Sequence, residues 1–119
     1  MARILIAEDD DSMREFLARS LRRAGYEVEL AGNGLEAISA LTQQEFDLLL
    51  ADVVMPGIDG IELARRAARE NPHLKVLFIT GFAAVALRAR SGMPGDPKIL
   101  SKPFHLKDLV SQIDQMLCA

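Results

Sequence analysis

Charged and hydroxyl side chains follow four short apolar segments of the sequence. They are the acidic run 8–11, Asp52, Thr80 and Lys102. Carboxylates gathered in one place repel each other, so their pKa values rise unless a cation neutralises them. Several oxygen ligands without a sulfur or histidine cluster favour Mg²⁺ over zinc. A metal, a free carboxylate, a hydroxyl and an ammonium suit phosphoryl transfer, and a carboxylate can accept the group as an aspartyl phosphate.

The segments that precede these side chains have the pattern of buried strands. Residues 4–7, 48–51 and 76–79 are continuous apolar runs, which are typical of strands covered on both faces. Residues 26–31 alternate between apolar and polar and predict a strand nearer an edge, and residues 99–100 are a shorter candidate.

Amphipathic helices are predicted between the strands. Apolar residues recur at helical spacing in four stripes, each expected to face the core: Met13, Phe16, Leu17, Leu21 and Ala24; Leu35, Ile38 and Leu41; Leu63, Ala64, Ala67 and Ala68; and Leu106, Leu109, Val110, Ile113, Met116 and Leu117. Ser12 with Glu15, and Asn33 with Glu36, are spaced as capping boxes, and Gly25 is expected to end the first helix. A short helix over 83–90 and a glycine- and proline-rich loop over 91–97 follow.

This alternation of strands and helices predicts an α/β fold with a doubly wound parallel sheet of five strands and five helices. In such sheets, ligands bind beyond the carboxyl ends of the strands. The side chains that could carry the chemistry all follow predicted strands, so we expect them to meet at one edge of the sheet.

Length and composition exclude several classes of protein. The 119 residues fit one domain, 1–119, and we expect no output domain within it. The net charge of −3 argues against a nucleic-acid-binding protein. Cys118 is the single cysteine, so an intrachain disulfide is excluded. No apolar run approaches the ~18 residues of a membrane span, and the apolar start is too short for a signal peptide, so we expect a cytoplasmic protein.

Four fragments of the sequence together resemble the receiver domains of two-component response regulators, over essentially the whole chain. They are residues 4–10 (Ile-Leu-Ile-Ala-Glu-Asp-Asp), 52–60 (Asp-Val-Val-Met-Pro-Gly-Ile-Asp-Gly), 80–81 (Thr-Gly) and 102–104 (Lys-Pro-Phe). Each fragment alone is weak evidence, but their combination in this order is specific. The resemblance implies the flavodoxin-like receiver fold with strand order 2-1-3-4-5.

The resemblance also implies a role for each matching residue. Asp52 matches the phosphoacceptor, Thr80 the hydroxyl that contacts the phosphoryl group, and Lys102 the lysine that pairs with it. The implied Mg²⁺ ligands are Asp9 directly, Glu8 through water, Asp52, and the backbone carbonyl of Val54. Asp10 and Asp11 are instead expected to complement the helix dipole. The Lys102-Pro103 bond matches one that is often cis.

Three positions depart from the common pattern. Ile99 stands where many receivers carry a rotating aromatic residue, which puts switching by an aromatic flip in doubt. Val54 and Phe82 flank the expected site and offer no polar side chain to orient attacking water. We therefore expect slow hydrolysis of the phosphoryl group.

The implied partners are a histidine kinase or a histidine phosphotransfer protein, docking near Met13, Arg14 and Phe104, and a separate downstream protein. The pattern is similar to stand-alone receivers that regulate proteolysis by an ATP-dependent protease, so that protease or its adaptor is a candidate partner. Alternatives are a phosphate shuttle to a phosphotransfer protein, a receiver cut from a longer chain, and a constitutive interaction module. A haloacid-dehalogenase-like phosphatase is disfavoured because Val54 occupies the place of its second acid.

Overall fold

A computed structural model describes residues 1–93 and 95–118 of the chain. The strands are β1 (Arg3–Ala7), β2 (Glu27–Ala31), β3 (Leu48–Asp52), β4 (Lys75–Thr80) and β5 (Lys98–Ser101). The helices are α1 (Asp11–Arg23), α2 (Gly34–Gln43), α3 (Gly60–Glu70), α4 (Ala83–Arg90) and α5 (Leu106–Cys118). Every predicted strand and helix is present within a few residues of its expected bounds. Residue 94 of the predicted loop and residue 119 lie outside the described residues.

The five strands form one parallel sheet in the order β2-β1-β3-β4-β5. This confirms the predicted fold class and strand order. The alternating strand β2 lies at an edge with Glu27 and Glu29 exposed, also as predicted. The continuous apolar strands β1, β3 and β4 are in the centre, because a strand covered on both faces needs apolar side chains on both.

Each face of the sheet is covered by its own helices. Ile4, Leu50 and Ile79 point to the face packed by α1 and α5. Leu5 and Phe78 point to the opposite face, where α2, α3 and α4 pack. Successive strand residues face opposite sides, so one apolar run supplies both core layers. The sheet is thereby fixed as a rigid platform whose edge carries the candidate site.

The N-termini of α1, α2 and α3 are capped by side chains, with one correction to the sequence analysis. Asn33 accepts a hydrogen bond from the N–H of Glu36, as its capping box predicts. The predicted Ser12–Glu15 box is wrong: Asp10 is the N-cap and accepts from the N–H of Met13, so Ser12 lies inside α1. The carboxylate of Asp10 accepts a hydrogen bond from a free N–H of the first helical turn, so the helix begins two residues earlier than a cap at Ser12 would allow.

Four residues of the predicted core stripes are instead exposed: Ala24, which is the C-cap of α1, and three larger side chains. Phe16 is 45% exposed, Leu35 66% and Leu106 40%. Phe16 lies on the flank of α1, where Leu17, Ala18 and Leu21 take up the buried side. Leu35 and Leu106 occupy the first turns of α2 and α5, where each stripe runs past the edge of the core. Helical spacing identifies which face of a helix is apolar, but it does not show how far along the helix that face is covered by the core.

Among the described residues, no helix is both long enough and apolar enough to span a bilayer.

Candidate phosphoacceptor and metal site

Strand register places the candidate side chains at one edge of the sheet. Ala7 of β1 pairs with Ala51 of β3, so the residues that follow them, Glu8 and Asp52, are level with each other. Asp52 pairs in turn with Ile79, the residue before Thr80. Thr80 pairs with Ser101, and Lys102 comes next. Four strands that are distant in sequence therefore deliver their polar residues to the same place.

Three carboxylates form a cluster that could hold a metal ion. One oxygen from each of Glu8, Asp9 and Asp52 lies within 4.8 Å of the others. Glu8 is 1% exposed and Asp52 8%, whereas Asp9 is exposed. The donor set is entirely oxygen, with ligands that a divalent cation such as Mg²⁺ prefers. The residues therefore fit the cation that the sequence predicts.

Lys102 bridges the two buried carboxylates. Its Nζ donates to Oδ2 of Asp52 at 2.9 Å and to Oε1 of Glu8 at 3.2 Å. Partial burial alone would lower the pKa of Lys102, but the hydrogen bonds and negative charges of Asp52 and Glu8 outweigh it and raise that pKa. The ammonium is accordingly a fixed positive charge beside the Asp52 carboxylate.

The carboxylates remain in an unfavourable environment despite this lysine. Burial is the main cause that raises the pKa of Glu8, and the negative charge of Asp52 raises it further, while the N–H of Asp10 and Lys102 act in the opposite direction. One ammonium therefore does not fully compensate the buried negative charge. A bound divalent cation would supply the missing compensation.

Thr80 and Val54 complete the surroundings of Asp52. Thr80 is fully buried, and its Oγ accepts a hydrogen bond from the N–H of Phe82 at 2.8 Å, which leaves the hydroxyl hydrogen available for donation. The N–H of Val54 donates to Oδ1 of Asp52 at 3.2 Å. The side chains of Val54 and Phe82, which flank Asp52 and Thr80 in sequence, are 55% and 59% exposed.

The structure thus brings Glu8, Asp9, Asp52 and Lys102 together, and strand register places Thr80 at the same edge of the sheet. The Lys102–Pro103 peptide bond is cis. The roles assigned to those residues stay predictions. Met13 and Phe104, predicted to dock a partner, are partly buried against the core.

Two residues make contacts at the site that the sequence analysis did not predict. The guanidinium of Arg14 hydrogen-bonds the backbone carbonyl of Glu8. Gly60 packs directly on the backbone of Asp52, where a β-carbon would lie 2.1 Å from its carbonyl oxygen. The available signal for a role of Gly60 was its place at the end of the 52–60 motif. Arg14 is placed by the sequence analysis only on the expected docking surface, and no sequence pattern indicates its contact with Glu8.

A family profile described as "Response regulator receiver domain" matches residues 4–114. The chain belongs to the response regulator receiver family. Members of this family work in two-component systems as phosphorylation-dependent switches rather than as classical enzymes, and they bind Mg²⁺ at an acidic pocket.

Three similar proteins place the chain within this family. It is 58% identical to the response regulator receiver protein CpdR of Brucella abortus over 119 residues, which cover 100% of this chain and 99% of that protein. It is 38% identical to the sensor kinase CckA of B. abortus over 120 residues, covering 98% of this chain and 12% of the kinase. The response regulator TrrA of Thermotoga maritima, solved in complex with Mg²⁺-BeF, superposes with a TM-score of 0.89 at 29% identity, covering 98% of this chain and 100% of that one. The likeness to stand-alone receivers of the CpdR type, expected from the sequence, is confirmed.

Proposed function

We propose that this chain is a Mg²⁺-dependent switch that accepts a phosphoryl group on Asp52 and thereby changes its affinity for a separate protein. The observation that carries the proposal is the position of the Asp52 carboxylate. It stands within 4.8 Å of two further acids and accepts a hydrogen bond from the ammonium of Lys102. A carboxylate that is only structural would not need that combination of charges.

The metal would be held by Asp9, Asp52, the backbone carbonyl of Val54 and, through water, Glu8. When bound, Mg²⁺ neutralises the negative charge that the acids and the phosphoryl oxygens bring together. The TrrA complex with Mg²⁺-BeF supports this assignment, because that chain shares the fold over its whole length.

Asp52 is the nucleophile in the proposed transfer. Its Oδ attacks the phosphorus of a partner's phosphohistidine, and the N–P bond breaks as the O–P bond forms, so the imidazole leaves with the electron pair. Lys102 and the Thr80 hydroxyl are placed to pair with the phosphoryl oxygens. The chain thus assists its own phosphorylation and dephosphorylation without turning over a separate substrate. The exposed, apolar side chains of Val54 and Phe82 cannot orient a water molecule, so we propose slow hydrolysis.

The partners are inferred from the chemistry and from the relatives. The donor is a histidine kinase or a histidine phosphotransfer protein, which the similarity to part of the CckA sensor kinase supports. We propose a separate protein as the downstream partner, as the similarity to the receiver protein CpdR over 99% of its length supports. We further propose a role in regulated proteolysis in the cytoplasm, with an ATP-dependent protease or its adaptor as the partner, on the sequence resemblance to stand-alone receivers of that kind.

Intact-mass spectrometry with a small phosphodonor tests the proposal. We expect one labile phosphoryl adduct on the native chain in Mg²⁺ and none when the metal is chelated. Asp52→Ala should form no adduct. Asp108→Ala is the matched control, since Asp108 is an exposed aspartate of α5, and it should be phosphorylated like the native chain.

An adduct on folded Asp52→Ala would refute Asp52 as the acceptor. Absence of any adduct on the folded native chain would refute the switch and favour a constitutive interaction module, for which capture of a partner without phosphodonor is the next measurement.

A further inference from the structure

Arg14 reaches back from α1 to the end of β1. Its Nη1 donates to the backbone carbonyl of Glu8 at 2.9 Å, and its Nη2 donates to the carboxylate of Asp11. The side chain is 20% exposed, so it lies largely against the protein rather than in solvent. A planar guanidinium can hold two acceptors at once in fixed directions, which an ammonium cannot.

The carbonyl that Arg14 binds belongs to the peptide group between Glu8 and Asp9. The N–H of Glu8 is held separately, by the carbonyl of Ala31 in β2 at 3.1 Å. The backbone of Glu8 is therefore fixed from both sides as it leaves the sheet. Because Asp9 is exposed, the direction of its side chain depends on the orientation of this peptide.

The loop between β2 and α2 lies next to the guanidinium. A β-carbon on Gly32 would lie 3.4 Å from Nη1 of Arg14 and 3.5 Å from Oε1 of Glu36, so the bare Gly32 leaves space for both side chains. The N–H of Gly32 donates to Oε1 of Glu36 at 2.8 Å. The arginine thus lies between the end of β1, which it binds, and the loop that follows β2, at the edge of the sheet that carries the site.

We propose that Arg14 is a positioning residue for the cation site: by holding the Glu8–Asp9 peptide, it aims the Asp9 carboxylate at the metal. This inference rests on the proposed function, because it concerns the same Mg²⁺ ions. The charge of Arg14 acts against the positioning effect, since a cation near the site repels Mg²⁺. The two effects change the Mg²⁺ affinity in opposite directions. Removal of the side chain therefore shows which effect is larger.

The test is the Mg²⁺ affinity of Arg14→Met, measured by calorimetry and by the amide NMR shift of Asp9. We expect Kd to rise by about tenfold, as for other residues that orient metal ligands. Arg23→Met is the control: it removes the same charge about 13 Å further along α1, at 1.5 Å per residue, where most of its field is screened. Its Kd should stay within about twofold of the native value. Melting in EDTA checks that each variant is folded.

The outcomes separate this inference from the proposed function. If the native chain itself does not bind Mg²⁺, the proposed function fails. If the native chain binds and folded Arg14→Met binds equally or more tightly, Arg14 acts only as a charge and the inference is overturned. Should Arg14→Met not fold, Arg14→Lys carries the same test, because an ammonium cannot hold the Glu8 carbonyl and Asp11 together, and a native Kd there would overturn the inference.

Discussion

Replacing Gly60 by alanine would make its methyl group clash with the backbone of Asp52. The added β-carbon would lie 2.1 Å from the carbonyl oxygen of Asp52, 2.9 Å from its carbonyl carbon and 3.0 Å from the Cα of Val53. Non-bonded carbon atoms prefer about 3.5–4.0 Å, so the end of β3 and the start of α3 must separate by about 1 Å or more. The opposing atoms are backbone, so no side-chain rotation can relieve the contact.

The expected cost follows from this geometry. Overpacking typically costs about 1–3 kcal/mol, and we take about 3 kcal/mol because only the backbone can move. Restriction of the unfolded chain by alanine offsets about 0.4–1 kcal/mol of that. The free energy of unfolding should therefore fall by about 2 kcal/mol, which corresponds to about 8 °C in Tm for a domain of this size. Phosphorylation should slow as well, because the displaced backbone carries Asp52.

Urea denaturation followed by circular dichroism measures the loss. Gly81→Ala is the matched control, since a β-carbon there meets nothing within 4 Å although Gly81 directly follows Thr80. That variant should keep the native stability within about 1 kcal/mol. If Gly60→Ala unfolds at the same urea concentration as Gly81→Ala and the native chain, the close-contact reasoning is refuted.

Three further predictions concern the cap of α1, a surface hydrogen bond and the site lysine. Asp10→Ala should lower the free energy of unfolding by about 1 kcal/mol because it removes the N-cap, whereas Ser12→Ala should change it by less than about 0.5 kcal/mol; equal losses in urea denaturation would contradict the corrected cap. Burial and the hydrogen bond to Asp114 raise the pKa of Tyr26 to about 12. Since the unfolded value is about 10, this interaction stabilises the fold below pH ~10 and is lost as the pH rises from about 10 to 12. The stability difference between the native chain and Tyr26→Phe should shrink over that window, and a constant difference would count against the assignment. Lys102→Met should lower the free energy of unfolding in EDTA by about 2 kcal/mol, because two buried carboxylates lose their counter-charge. Saturating Mg²⁺ should restore most of that loss in the same denaturation assay, and no restoration would argue against a cation at this site.

Much of the fold could be predicted from the sequence because its local signals agree with each other. Continuous apolar runs specify central strands, helical periodicity specifies the helices, and the alternation of the two leaves few topologies. The polar residues at strand ends then predict the site, because parallel strands bring their carboxyl ends to one edge of the sheet. The helical periodicity did not predict which apolar residues at the margins of a helix face are buried, because Phe16, Leu35 and Leu106 are exposed.

The sequence by itself determined which residue types stand at the ends of the strands, and with them the family and the expected chemistry. Only the tertiary structure decided how those residues meet: that Lys102 bridges Glu8 and Asp52, that Arg14 holds the carbonyl of Glu8, and that Gly60 lies on the backbone of Asp52. The physical reason is that strand register and loop closure set these distances. These contacts join residues on different strands and helices, and the periodicity within one strand or helix does not encode them.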